Sequence, residues 1–101
     1  PWLVTAAQVA DPQTPAMSLA VNAKRMQTGT TSSLIFSVAA SISHLSALLT
    51  LPPPVVISTG TPPGVGMGIK PEPVFLKEGD VMEVAIEGLG KQRQEVGRDP
   101  A

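Results

Sequence analysis

The feature that most constrains this chain is residues 58–68, STGTPPGVGMG, where the β-branched run Val55, Val56, Ile57 stops and eleven residues follow with four glycines and two prolines. Glycine reaches backbone angles closed to other residues and lets a ligand approach the main chain, while proline fixes φ and stiffens the turn. The stretch therefore reads as a binding loop opening at the end of a short strand. Thr59 and Thr61 add hydroxyls to the backbone amides, a donor set suited to an anionic group. The plainer alternative is a long turn at the protein edge.

Around this loop the chain has room for one domain and one modest aliphatic core. It has 101 residues, 43% of them apolar, with three aromatics in all (Trp2, Phe36, Phe75). A core of that size buries roughly two-thirds of the unfolded surface or a little less. Seven Lys and Arg against eight Asp and Glu leave a net charge of −1 and no basic stripe for a phosphate backbone, so nucleic acid is excluded as the expected partner. The longest apolar windows, 45–51 and 54–57, fall far short of a membrane span, and the first residues lack the charged and apolar regions of a leader. A cytoplasmic protein is the default expectation. The absence of cysteine removes disulfides, thiolate metal sites and cysteine nucleophiles.

The periodicity predicts a mainly β chain with one α-helix. Residues 1–5 read as a short extended segment, and Pro12 and Pro15 keep the next stretch irregular. Residues 17–22 alternate, with Met17, Leu19 and Val21 on one face; Asn22-Ala23 is a turn, residues 24–28 return, and 29–33 form a polar loop. From Phe36 the period changes. Val38, Ile42, Leu45 and Leu49 predict a helix over 38–49 with Ser37 as its N-cap, ended by the prolines at 52–54. Residues 55–58 read as a strand feeding the glycine loop, and 74–76 as a brief extended piece. Lys77-Glu78-Gly79-Asp80 is a tight turn, 81–87 a strand with Met82, Val84 and Ile86 on one face, and 91–96 its antiparallel return after Gly88-Leu89-Gly90.

Other constellations weaken when set in context. Phosphate-binding glycine loops lead directly into a helix, whereas this loop runs into Lys70-Pro71-Glu72-Pro73. His44, the single histidine, falls off the predicted apolar stripe and reads as a surface side chain rather than a triad member. Glu83 and Glu87 share a strand face but lie roughly 13 Å apart at about 3.3 Å per residue, too far to share one ion. Both read as the solvated side of a hairpin.

The combination STGTPPGVGMG followed by VFLKEGDVMEVAIEGLG is more specific than its parts. It resembles the C-terminal signature of the fumarylacetoacetate hydrolase family, and the similarity extends back through PWLVTAAQVADPQ, LAVNAKRMQTGTT and SLIFSVAASISHLSALLTL, over nearly the whole chain. The resemblance implies part of a mixed β-roll or β-sandwich fold, normally dimeric. It also implies magnesium or manganese held in a carboxylate cluster, acting on small 2-oxo or β-diketo acids by C–C bond hydrolysis, decarboxylation, isomerisation or dehydration. Thr59, Gly60, Thr61 and Pro62 match the family's TGTP stretch, which faces the substrate carboxylate, and Gly64, Val65 and Gly66 match its continuation.

Three local departures stand out. Pro53, Pro54 and Val55 replace a usual Pro-Gly-Asp turn, Ala23 stands where a turn glycine is frequent, and Ala40 where a glutamate would complete a capping box with Ser37. The family's E-x-E pair, later aspartate and catalytic lysine all precede the PWLVT segment. The resemblance therefore implies that residues 1–101 are a partial domain with no metal ligands or catalytic residues of its own. Expected partners are a weakly bound small 2-oxo or dicarboxylic acid and either a second copy or a complementing N-terminal half. The competing expectation is a non-catalytic, self-assembling or partner-binding module, because sheet edges and apolar faces left uncovered recruit other chains.

Overall fold

The computed structural model describes residues 3–100, so the expectation for Pro1 and Trp2 lies outside the described residues. The alternating segments form two hairpins. β1 (Ala16–Val21) pairs antiparallel with β2 (Lys24–Thr30), and β3 (Val81–Ile86) with β4 (Gly90–Glu95). β1 also pairs antiparallel with β3, giving one four-stranded sheet in the order β2-β1-β3-β4.

Register explains which side chains share a face, because residues directly opposite one another in an antiparallel pair point the same way. Met17, Leu19 and Val21 oppose Ile86, Val84 and Met82, building one apolar face. Gln27 and Gly29 oppose Leu19 and Met17 and so belong to that face too. The register jumps between Leu19/Gln27 and Ala20/Arg25, which makes Met26 the extra residue of a β-bulge.

The first turn is a two-residue type I′ connection with positive φ at both Asn22 (49°) and Ala23 (64°). Asparagine tolerates that region and alanine does not favour it. Asn22 consequently belongs to the turn, where the alternation alone had placed it in the strand. Its side chain works across the sheet: Asn22 Nδ2 donates to Asp80 Oδ1 (2.9 Å), and Asn22 Oδ1 accepts from the Val81 N–H (2.9 Å). Asp80 Oδ2 accepts from the Lys77 N–H (3.0 Å). The turn between β1 and β2 is thus tied to the turn that leads into β3 through two short side chains.

β2 runs two residues past its predicted end, since Gly29 and Thr30 complete the pairing with Met17 and Ala16. The predicted polar loop is reduced to a single 3₁₀ turn, Thr31–Ser33, with the Thr30 hydroxyl accepting from the Ser32 N–H at 3.3 Å. A second 3₁₀ turn at Ala6–Gln8 went unpredicted, and there Gln8 Oε1 accepts from the Thr5 N–H at 3.1 Å. β3 ends at Ile86, one residue early, because Glu87 opens the turn and its N–H donates to Ala16 O at 2.9 Å.

The helix α1 (Val38–Leu48) starts where expected. Ser37 Oγ accepts from the Ala40 N–H (3.0 Å), and Gln13 Oε1 takes the Val38 N–H (2.7 Å). Its predicted apolar stripe is only partly its packed face: Val38 and Leu45, with Ser41, are half-buried, whereas Ile42 and Leu49 are exposed, α1 facing residues 57–59 across a cleft rather than packing on the sheet.

Two further expectations are corrected. Residues 55–58 form no strand, because none of the four strands pairs with them, and Val56 is 94% exposed. Nor is there a closed core: no apolar side chain among the described residues is fully buried. The accessible surface is 8192 Å², whereas a folded monomer of 10.4 kDa has about 5,400 Å². The radius of gyration is 16.1 Å against about 13 Å for a closed domain of this length. The apolar face of the sheet is half-covered.

Candidate functional site

The glycine loop is docked onto β2 at three consecutive points. Pro62 lies over Gly29, where an added Cβ would stand 2.9 Å from the proline ring. Gln27, buried on the sheet face, donates through Nε2 to Thr61 Oγ1 (2.9 Å) and to Pro62 O (2.6 Å). Gly64, at φ 108°, passes so close to the carbonyl of the bulge residue Met26 that any side chain there would collide with it. Gly60 also needs a positive φ (94°). Two of the four glycines are therefore required by backbone angle, and Gly64 by close approach as well.

Beyond Gly64 the loop closes on itself. Gly66–Gly68 is a 3₁₀ turn, and the Val74 N–H donates to Gly66 O at 2.9 Å. This returning segment and the sheet enclose a cavity of about 610 Å³, floored by Leu19, Val21, Met26 and Met82 and walled by Ile69 and Phe75. On the other side of the loop, a cleft of about 480 Å³ separates α1 from residues 57–59 and is lined by Phe36, Ser41, His44, Leu45, Ile57 and Thr59. The loop is thus the partition between two hollows.

The predicted site residues divide accordingly. Thr61, Pro62 and Gly64 are held together on β2, while Thr59 sits in the helix-side cleft, near the exposed His44. The residue that sequence reasoning missed is Gln27. As a polar residue in a polar strand segment it carried no signal of its own; only its phase with Leu19, shifted by the bulge, would have marked it as inward-facing.

The carboxylates do not converge. Asp80 is held below the usual carboxylate range, first by the Asn22 amide and then by the Lys77 N–H, with burial opposing them and the Lys77 charge adding the smallest pull. Glu83 lies 3.8 Å from Lys91, Glu78 pairs with Arg98 at 2.7 Å, and Glu87 accepts from the Ala16 N–H at 3.3 Å. Glu83 and Glu87 are thus engaged separately, as their spacing required. No group of three or more ionisable ligands capable of holding a metal ion occurs among the described residues. A hard divalent cation needs several oxygen ligands at once, and this donor set does not fit one.

A family model described as fumarylacetoacetate (FAA) hydrolase C-terminal matches residues 1–97. The chain belongs to that family. Its sheet and helix match the C-terminal fold of fumarylacetoacetate hydrolases with known structure. Among curated relatives, it is 57% identical over 95% of its length to a 2,4-didehydro-3-deoxy-L-rhamnonate hydrolase from Sphingomonas sp. (strain SKA58), of which it covers 34%. Among solved structures, it is 36% identical to the maleylpyruvate hydrolase of Sphingobium sp. SYK-6, with a TM-score of 0.84 over 98% of this chain and 34% of that one. The fumarylpyruvate hydrolase of Pseudomonas aeruginosa, solved with Mn²⁺ and pyruvate, is also 36% identical, with a TM-score of 0.80 over 93% of this chain and 37% of that one. The chain thus spans about a third of the length of these relatives. No helix among the described residues is long and apolar enough to cross a membrane.

Proposed function

We propose that this chain supplies the carboxylate-facing wall of an enzyme that acts on small 2-oxo or β-diketo acids, and that the 101 residues alone do not turn over substrate. The observation that carries the reading is the docked loop. Gly60 and Gly64 bend the backbone, and β2 holds the Thr61 hydroxyl in place with its oxygen already accepting from Gln27. Such a wall offers hydrogen-bond donors to an anionic group without adding a charge of its own. Two relatives support the substrate class, being described as hydrolases of maleylpyruvate and fumarylpyruvate, compounds that share a pyruvoyl end. The scattered carboxylates support the absence of independent turnover. The test is to assay the purified chain with Mg²⁺ or Mn²⁺ against acylpyruvates and oxaloacetate. Metal-dependent turnover well above background overturns the proposal; activity that appears only on mixing with the remaining part of the family domain supports it.

A second reading concerns assembly, and a specific observation favours it. The surface exceeds that of a closed monomer by about 2,800 Å², within the range that obligate interfaces bury. β4 is exposed along its whole length and β2 leaves the other edge open, so strands as well as apolar side chains are available for pairing. The chain is then a partner-binding module, with a second copy as the occupant in the absence of a complementing half. Light scattering at micromolar concentration decides this, and a strictly monomeric mass sinks it.

A further inference from the structure

We infer that Gln27 is the positioning residue that orients the Thr61 hydroxyl, aiming its hydrogen toward the carboxylate. The orientation of the Gln27 amide follows from its partners. Pro62 O can only accept a hydrogen bond, so the Gln27 atom 2.6 Å from it must be the nitrogen. The same nitrogen lies 2.9 Å from Thr61 Oγ1, so its second hydrogen goes there and the threonine oxygen is the acceptor. With that lone pair committed, the Thr61 hydrogen is directed away from β2, and it finds no acceptor among the described residues.

A free hydroxyl would rotate and serve a donor or an acceptor equally well. Here burial of Gln27 and the phase set by the Met26 bulge hold the amide in one place, so the Thr61 hydrogen is pre-oriented to donate to an anion. The inference deepens the proposed function and rests on it.

The experiment is an NMR titration of the 101-residue chain with oxalate, with the amide spectrum outside the loop as the check on folding. Five variants are compared: Thr61→Ser, Thr61→Val, Gln27→Met, the Gln27→Met/Thr61→Val pair and Gln27→Glu. Thr61→Ser keeps the hydroxyl and retains affinity. Thr61→Val weakens binding about tenfold; Gln27→Met weakens it less, because the freed hydroxyl still donates but is no longer held in place; and the double variant is no worse than Thr61→Val, because without the hydroxyl Gln27 has nothing to position. Gln27→Glu reverses the polarity: the introduced carboxylate takes the Thr61 hydrogen and repels the ligand. Binding is then lost near neutrality and returns as that carboxylate protonates on acidification, whereas the wild type shows no such recovery.

A merely structural staple would give Gln27→Met and Gln27→Glu the same pH-independent deficit, and that result overturns the inference. So does additivity in the Gln27→Met/Thr61→Val pair, which remains decisive if Gln27→Glu fails to fold. Wild-type binding with indifferent Gln27 variants overturns the inference alone. Absence of wild-type binding overturns the carboxylate-wall reading, and Gln27's role with it.

Discussion

The sheet and the segment from 49 to 77 are built on opposite principles. In the sheet every strand finds its neighbour by register, and the Asn22–Asp80 pair ties the β1–β2 turn to the turn that leads into β3. The 49–77 segment has one short 3₁₀ turn, two cis peptide bonds (Pro53–Pro54 and Lys70–Pro71), and the exposed apolar side chains of Val56, Met67 and Phe75. What shapes it is contact with β2 at Gln27, Gly29 and Met26. The sheet encodes its own geometry through two local hairpins and the register that joins them at β1 and β3, and the loop borrows its geometry from one strand of that sheet.

That contrast can be broken most forcefully at Gly64. Gly64→Val combines a positive φ with a collision against the Met26 carbonyl, an expected loss of about 3 kcal/mol in loop docking. Amide exchange at Gly68, Ile69 and Val74 then accelerates about a hundredfold, while the paired amides of β1 and β3 keep their protection. Equal acceleration in both regions would show that the loop and the sheet are one cooperative unit.

The next effect is electrostatic and confined to the sheet. A carboxyl held below its unfolded range stabilises the fold above the unfolded pKa, and that contribution fades as pH falls through the folded value. Acidification should therefore loosen the Asn22–Asp80 tie and lower the urea midpoint of the wild type. Asp80→Ala should start from a lower midpoint near neutrality and lack that part of the acid dependence. A parallel pH profile in the two proteins would remove Asp80 as the cause.

Ala23→Gly sharpens the comparison in the stabilising direction. Both turn residues have positive φ, and relieving alanine there should add about 1 kcal/mol, read as a higher urea midpoint with no change in loop exchange. The smallest effect belongs to Lys91→Ala. Lys91 and Glu83 meet at 3.8 Å in a largely solvated setting, so removing the lysine should cost at most about 0.5 kcal/mol.

The local devices were legible in the sequence. Alternation at 17–21 and 81–86, the Asn22-Ala23 turn, the Ser37 cap and the glycine-rich second turn each announce themselves within a few residues, and the structure places them within one or two positions. The loop was legible as a loop, and its family signature as a signature. What escaped was everything requiring knowledge of a distant partner. Gln27 meets residues more than thirty positions away, Asn22 meets Asp80 at a separation of 58, and the bulge that aims Gln27 inward has no composition of its own. The strand reading of 55–58 failed for the converse reason: its β-branched residues have the propensity, but no strand among the described residues lies beside them.

The bulge at Met26 has a consequence for how this segment tolerates insertion and deletion. A strand alternates strictly, and a bulge is the device that admits one extra residue without inverting the side chains beyond it. Met26 is that residue: with it removed, Gln27 would follow Arg25 directly and still oppose Leu19, on the face against which the loop docks. What the deletion would change is the local bend and twist of β2. Across related chains, the stretch between the Asn22-Ala23 turn and Gln27 should therefore tolerate the loss of this one residue with the amide clamp kept.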